Sequence, residues 1–256
     1  MTKSSNEGGF VSHLTELRKR LIHSFIYLFV FFIAAYFFAD HLYGFLVEPY
    51  AKAVKDDGTQ RRLIFTALQE TFLTYLKVSF FTAFFITCPF ILMQIWKFIA
   101  PGLYKHEKIA IIPYLVLTPI LFFLGGTLVY YLIMPLAIKF FLSFESSGLT
   151  TSLPIQLEAK VNEYLSLIMK LIFAFGLSFQ LPVILSLLAR IGIIDSRFLR
   201  ERRKYVVVII FAAAALLTPP DPITQIGLAI PLLILYELSI FSVNIIEKKA
   251  KKNAQY

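Results

Sequence analysis

Residues 21–39 run for nineteen positions without a single Lys, Arg, Asp or Glu, and only His23 among them carries a clearly polar ring. Coiled into a helix such a run reaches about 28 Å, close to the hydrocarbon thickness of a bilayer. Apolar runs follow at residues 72–96, 109–136, 164–189 and 223–243, with a shorter one at 205–218 that reaches about 21 Å as a helix. Pro113, Pro119 and Pro135 predict bends in the third run, and Pro182 predicts one in the fourth. Composition removes the alternative of a soluble core: 58% of residues are hydrophobic and 16% charged, and 27 Phe with 13 Tyr leave too little polar surface to face water. The predicted fold is an all-α polytopic membrane protein, one integral membrane domain over residues 1–256. It has six transmembrane helices, short fifth and sixth spans forming a hairpin, and a concave face. No internal repeat is visible.

The net charge of +9 is read first as a topology signal, since cytoplasmic segments of membrane proteins are enriched in Lys and Arg. Alternate connections carry 17 basic residues on one side and 6 on the other, with Lys77 and Lys170 inside spans where their stems can snorkel. Both termini are therefore expected in the cytoplasm, and no nucleic-acid partner is implied. Residues 1–10 lack the charged and apolar regions of a secretory leader, so the first apolar run is expected to stay as an anchor. The short fifth run leaves two outcomes open. Either the bilayer thins around it, or the helix extends through Arg202–Lys204 and reaches a normal length.

A single cysteine, Cys88, excludes an intrachain disulfide and a thiolate zinc site; it reads as filler beside Pro89, and no metal or cofactor is expected. No nucleophile with an adjacent base, phosphate-cradling glycine loop or acid/base carboxylate pair occurs in a loop, so the chain is not read as an enzyme. Acidic residues embedded in basic segments stand out instead. Glu16, four residues before Arg20, is either an ordinary helical ion pair or a ligand for a cation, with Ser12 or Thr15 as the helix start. Glu107 is either a carboxylate complementing the dipole of the third span or part of the same ligand site. Two carboxylates on one membrane face match the planar forks of two guanidinium groups, which Lys does not. Glu237 in the last span is either an intramembrane functional carboxylate or, with Tyr236, part of an interfacial belt. His23 reads as an interfacial or packed histidine.

Four segments carry a resemblance: His13-Leu-Thr-Glu-Leu-Arg-Lys-Arg20, Phe98-Ile-Ala-Pro-Gly-Leu-Tyr-Lys-His-Glu107, Ala174-Phe-Gly-Leu-Ser-Phe and Leu217-Thr-Pro-Pro-Asp221. In this order they resemble the motifs of the TatC family, the receptor subunits of the twin-arginine translocase. The resemblance implies that Glu16 and Glu107 receive the arginine pair of a signal peptide, with Arg18 and Phe98 shaping the site. It implies that Pro49, in a turn of the first outer loop, and the turn at Pro219, Pro220 and Asp221 serve the outer cap and assembly. It implies that Thr218 and Gln225 lie near contacts with single-span partners of the TatA and TatB type, and that further copies of the chain take part. Folded cargo would cross a bacterial cytoplasmic membrane, or an inner membrane of an organelle that encodes the protein, on proton-motive force. One departure is Gln180, where much of the family has a buried Glu; an amide keeps hydrogen bonding but cannot ionise. It is expected on the concave, hydrated side against a partner helix, or else satisfied within the chain. Outside the family reading stand an ion-coupled secondary transporter of a small solute, which needs ionisable groups near the midplane, and a scaffold with no ligand.

Overall fold

In a computed structural model, residues 4–55, 62–99, 112–145, 156–217 and 222–253 are described, and among them the chain is helical, with one isolated parallel bridge between Ile64 and Lys160. The helices are α1 (Ser4–Phe37), α2 (Ala39–Lys55), α3 (Glu70–Ile99), α4 (Ile112–Leu128), α5 (Met134–Leu142), α6 (Val161–Ser178), α7 (Leu181–Arg190), α8 (Ser196–Glu201), α9 (Arg203–Leu217) and α10 (Pro222–Asn253). Five stretches of the described residues are long and apolar enough to cross a membrane: Thr15–Phe37, Glu70–Ile95, Pro113–Leu142, Val161–Arg190 and Thr224–Lys249. The chain forms two compact units, one of Met1–Tyr43 with Tyr75–Pro119, the other of Gly44–Thr74 with Ile120–Tyr256.

In the first unit α1 begins well upstream of the predicted Ser12 or Thr15, because the polar residues before the apolar run continue the helix. Phe32 of α1 meets Phe80 of α3 edge to face, with centroids 6.3 Å apart. Buried Ser24 donates its hydroxyl to the Arg20 carbonyl at 3.0 Å, so its polar atom is satisfied inside an apolar stretch.

The second unit shows how proline bends are absorbed. Pro135 has no N–H, and its ring crowds the carbonyl one turn back. The helix answers with a π-helical turn over Val129–Ile133, closed by the Met134 N–H on the Val129 carbonyl, before α5 resumes. The predicted third span therefore continues past residue 136 to Leu142, with Lys139 in its last turn. Pro182 breaks its span rather than merely bending it: α6 ends at Ser178, Phe179 and Gln180 form a turn, and Pro182 sits in the first turn of α7, where a missing N–H costs nothing. Between α4 and α6 the backbones nearly touch. A Cβ on Gly125 would lie 2.7 Å from the Phe175 carbonyl oxygen, and one on Gly176 would lie 2.9 Å from the Phe122 ring.

The expectation that Pro49 occupies a loop turn is corrected. It is buried inside α2, an amphipathic helix whose Leu46, Tyr50, Ala53 and Val54 form its buried stripe. Charges at Asp40, Glu48, Lys52 and Lys55 diluted the hydropathy and hid the helical period. Proline inside a helix costs roughly 3 kcal/mol, chiefly by orphaning the carbonyl four residues back. Here that carbonyl is Phe45, and the Tyr130 hydroxyl donates to it at 2.7 Å, while the Tyr164 hydroxyl donates to Leu46 at 3.0 Å. The rings of Phe45 and Tyr130 stack with centroids 4.4 Å apart. Glu48 Oε2, 3.2 Å from the Tyr130 hydroxyl, is the other acceptor in reach. The Glu48 carboxyl is held below the usual carboxylate range by the hydrogen bond and charge of Lys52, with the Tyr130 hydroxyl adding to the effect.

This arrangement gives a coupled expectation. Tyr130→Phe leaves the Phe45 carbonyl unsatisfied and should cost about 1–3 kcal/mol. In a Pro49→Ala background the restored N–H serves that carbonyl, so the same change should cost under about 1 kcal/mol. Thermal unfolding of the four proteins in detergent measures the difference, and equal costs in both backgrounds would refute the pairing.

The end of the chain departs most from expectation. The sixth predicted span is not short: α10 has 32 residues, about 48 Å, because the residues after Val243 are good helix formers. Glu247 on that extension accepts hydrogen bonds from the Ser196 N–H and hydroxyl, each at 2.6 Å, and Asp195 caps α8 through the Phe198 N–H. The fifth predicted span does take in Arg203 and Lys204, but Arg202 forms a turn before it, so α9 stays at 15 residues, about 22 Å. Around Leu199, Tyr236, Ile240 and Val243 a small core joins α7, α8, α9 and α10.

Candidate functional site

Glu16, Arg20 and Ser24 recur at four-residue spacing and so share one face of α1. Arg20 places Nε at 3.1 Å and Nη2 at 2.5 Å from Glu16 Oε1, and its Nη1 donates to Gln94 Oε1 of α3 at 2.9 Å. One guanidinium thus ties two helices of the first unit and presents Glu16 at a small cavity of about 330 Å³ that Lys19, His23 and Gln94 complete. His23 is exposed, its Nδ1 2.6 Å from the Lys19 carbonyl oxygen. Arg20 and Gln94 also line an adjoining apolar groove, formed by Leu17, Leu21, Phe25, Leu28, Phe84 and Ile91 among others. The carboxylate therefore stands where a charged opening meets an apolar one. The Glu16 side chain is 36% exposed. An i,i+4 helical ion pair between partly exposed side chains contributes on the order of 0.5 kcal/mol, so a second guanidinium can compete for the same carboxylate.

Arg18 is exposed and lies roughly 200° around α1 from Glu16, so the structure does not bring these two together. Phe98 is one turn beyond Gln94 on α3, and its side chain lies outside the described residues. Glu107, Thr218 and Asp221 also lie outside them. Gln180 does not sit on an open face. It is 2% exposed, and its amide nitrogen approaches the Gly176 carbonyl at 3.5 Å, because the turn before Pro182 folds it into the second unit. Gln225 donates to the Phe211 carbonyl at 3.3 Å and so links α10 to α9. Cys88 is buried beside Pro89 inside α3. The described residues hold no cluster of three His, Cys, Asp or Glu able to bind a metal.

Glu237 accepts from Arg203 Nη2 at 2.7 Å, with the two side chains 54% and 49% exposed, and the neighbouring Tyr236 hydroxyl donates to the Leu199 carbonyl. Glu237→Gln is expected to change stability by less than about 1 kcal/mol in thermal unfolding, as for other exposed pairs. A loss of several kcal/mol would show that the pair is desolvated.

Gln94 was not singled out from sequence. Its signal was a lone amide in an apolar run, four residues before Phe98, with nothing to name Arg20 as its partner.

Residues 12–231 match the family model for the Sec-independent protein translocase protein (TatC). The chain is 49% identical to the Sec-independent protein translocase protein TatC of Magnetococcus marinus over 93% of its own length and 85% of that protein's. It is 46% identical to the TatC of Rickettsia prowazekii, covering 96% of this chain and 97% of that one. The chain belongs to the TatC family. The crystal structure of a twin-arginine translocase receptor, TatC, superposes with a TM-score of 0.77 at 38% identity, covering 92% of this chain and 99% of that one. A second crystal structure of that receptor, in DDM, also gives 0.77, at 40% identity over 90% and 98% of the two chains. This TatC-family chain is a core subunit of the Sec-independent, twin-arginine protein translocase, and its apolar helices make it a multi-pass membrane protein. The family transports proteins, which sets aside the small-solute transporter.

Proposed function

We propose that the protein is the signal-peptide receptor of its translocase, with Glu16 and Glu107 gripping the paired arginines of an incoming leader. The observation that carries this is the Glu16 carboxylate, about one-third exposed and paired with Arg20, at the junction of a polar cavity and an apolar groove. Two bidentate guanidinium contacts suit carboxylates, and an apolar groove suits the hydrophobic stretch of a leader. Related solved chains are twin-arginine translocase receptors. Arg18 and Phe98 border the site in this reading. Gln225, Thr218, Asp221 and Pro49 support assembly with TatA- and TatB-type single-span subunits and with further copies of the chain. Six spans, with α9 as the short fifth and both termini in the cytoplasm, place the site on the inner side of a bacterial cytoplasmic membrane, and proton-motive force drives transport of folded cargo.

A leader peptide carrying a photo-crosslinking group beside its Arg-Arg, added to the full chain with both carboxylates intact, tests the reading. It should label the segments around residues 16 and 107, and its Lys-Lys counterpart neither; equal labelling by the two peptides would refute it.

A further inference from the structure

The stretch from the last residue of α7 to the start of α9, positions 190–204, holds six basic residues against two acidic ones, Asp195 and Glu201. Both acids are engaged locally, Asp195 as the cap of α8 and Glu201 with Arg197, and Arg203 is taken by Glu237. Arg200, Arg202 and Lys204 are exposed, and among the described residues none has a carboxylate partner. They are nonetheless organised. The Arg202 guanidinium carbon lies 5.4 Å from the Phe198 ring centroid and 5.6 Å from that of Tyr205, and Lys204 Nζ lies 5.2 Å from the Tyr205 ring. Two cations thus share one aromatic ring and one of them is held between two rings, an arrangement that orients guanidinium planes without neutralising them.

The rings themselves are about half exposed, Phe198 at 47% and Tyr205 at 51%, and Ile193, five positions before Phe198, is 65% exposed. Apolar side chains, aromatic rings and unneutralised cations coincide immediately after the apolar stretch Val161–Arg190 and at the start of α9. At that position the surroundings change from hydrocarbon to headgroups, where aromatic rings and basic side chains partition together. We propose that Arg200, Arg202 and Lys204, with Phe198 and Tyr205, form a binding site for the phosphodiester headgroup of an anionic phospholipid. Arg202 presents its fork to the phosphate, Lys204 and Arg200 supply point charge, and Ile193 and Phe198 enter the acyl boundary. A soluble phosphate would gain nothing from those apolar side chains, which favours a lipid as the occupant.

The test is native mass spectrometry of the purified full chain in detergent, titrated with phosphatidylglycerol and with phosphatidylcholine of the same acyl chains. Phosphatidylglycerol should bind at least about ten-fold tighter, and Arg200→Gln/Arg202→Gln/Lys204→Gln should lose on the order of a hundred-fold, about five-fold per cation. Lys248→Gln/Lys249→Gln, equally basic positions on α10, should stay within about two-fold of the unaltered chain. Equal affinity for the two lipids, equal losses in the two variants, or displacement by sn-glycerol 3-phosphate at matched concentration would overturn the site. Should the triple variant not fold, Arg202→Lys keeps the charge but loses the planar fork. It should weaken phosphatidylglycerol binding several-fold, and unchanged binding would overturn the proposal.

Discussion

A Gly125→Val variant should unfold in detergent on the order of 10 °C below the unaltered chain, a loss of roughly 3 kcal/mol or more. The first added carbon would come within 2.7 Å of the Phe175 carbonyl oxygen and 2.9 Å of its carbon. Those are backbone atoms of α6 in the heart of the second unit, and they cannot rotate away as a side-chain tip can. Relief requires moving one helix from the other, which would open space around Phe122 and Phe175, both fully buried. Gly176→Ala meets the Phe122 ring instead and should cost less, about 1–3 kcal/mol, because a ring can shift where a peptide cannot. Gly44→Ala is the control. No atom lies within 4 Å of the added carbon, and alanine is the better helix former in α2, so it should be neutral or stabilising by about 0.5–1 kcal/mol. A Gly125→Val protein that melts with the unaltered chain would mean that α4 and α6 are not in backbone contact.

The second large effect concerns the proposed receptor site. Charge-assisted hydrogen bonds to a carboxylate contribute about 1.5–3 kcal/mol each, so Glu16→Gln or Glu107→Gln should weaken binding of an Arg-Arg peptide about ten- to a hundred-fold. Glu107→Asp keeps the charge and should lose far less. Arg20 gives the opposite sign from a residue one helical turn away. Its guanidinium occupies the Glu16 carboxylate in the free protein, so Arg20→Gln removes a resident competitor and should leave peptide affinity equal or stronger. Fluorescence anisotropy of a labelled leader peptide against the purified variants reads all four. Weakening by Arg20→Gln as severe as by Glu16→Gln would mean that Glu16 serves only to hold α1 against α3 through Arg20 and Gln94.

The long helices were legible because burying apolar residues in hydrocarbon sums along the chain, so a run's length and its flanking charges nearly define it. Where charges interrupt the run, hydropathy fails although the period is still written there. Leu46, Tyr50, Ala53 and Val54 recur at helical spacing, yet α2 read as a loop until its buried face was seen. The extension of α10 past Val243 was missed for a related reason. Its residues are helical by propensity and polar by composition, and a search for apolar length stops at the first lysines.

At the candidate site, the pairing of Glu16 with Arg20 followed from spacing alone, since residues four apart on a helix are neighbours. Gln94 could not be added to it from sequence, because it is 74 positions from Arg20 and any of several helix faces was open to it. The same holds for Pro49: proline announces an orphaned carbonyl, but that Tyr130, 85 positions from Phe45, supplies the missing proton is a fact of packing. Sequence by itself determined the apolar lengths, the basic asymmetry and the local ion pair, all of which depend on near neighbours or on sums over a segment. Only the tertiary structure decided which distant hydroxyl, amide or glycine meets which backbone, because a hydrogen bond or a close contact acts over a few ångströms and is blind to distance along the chain.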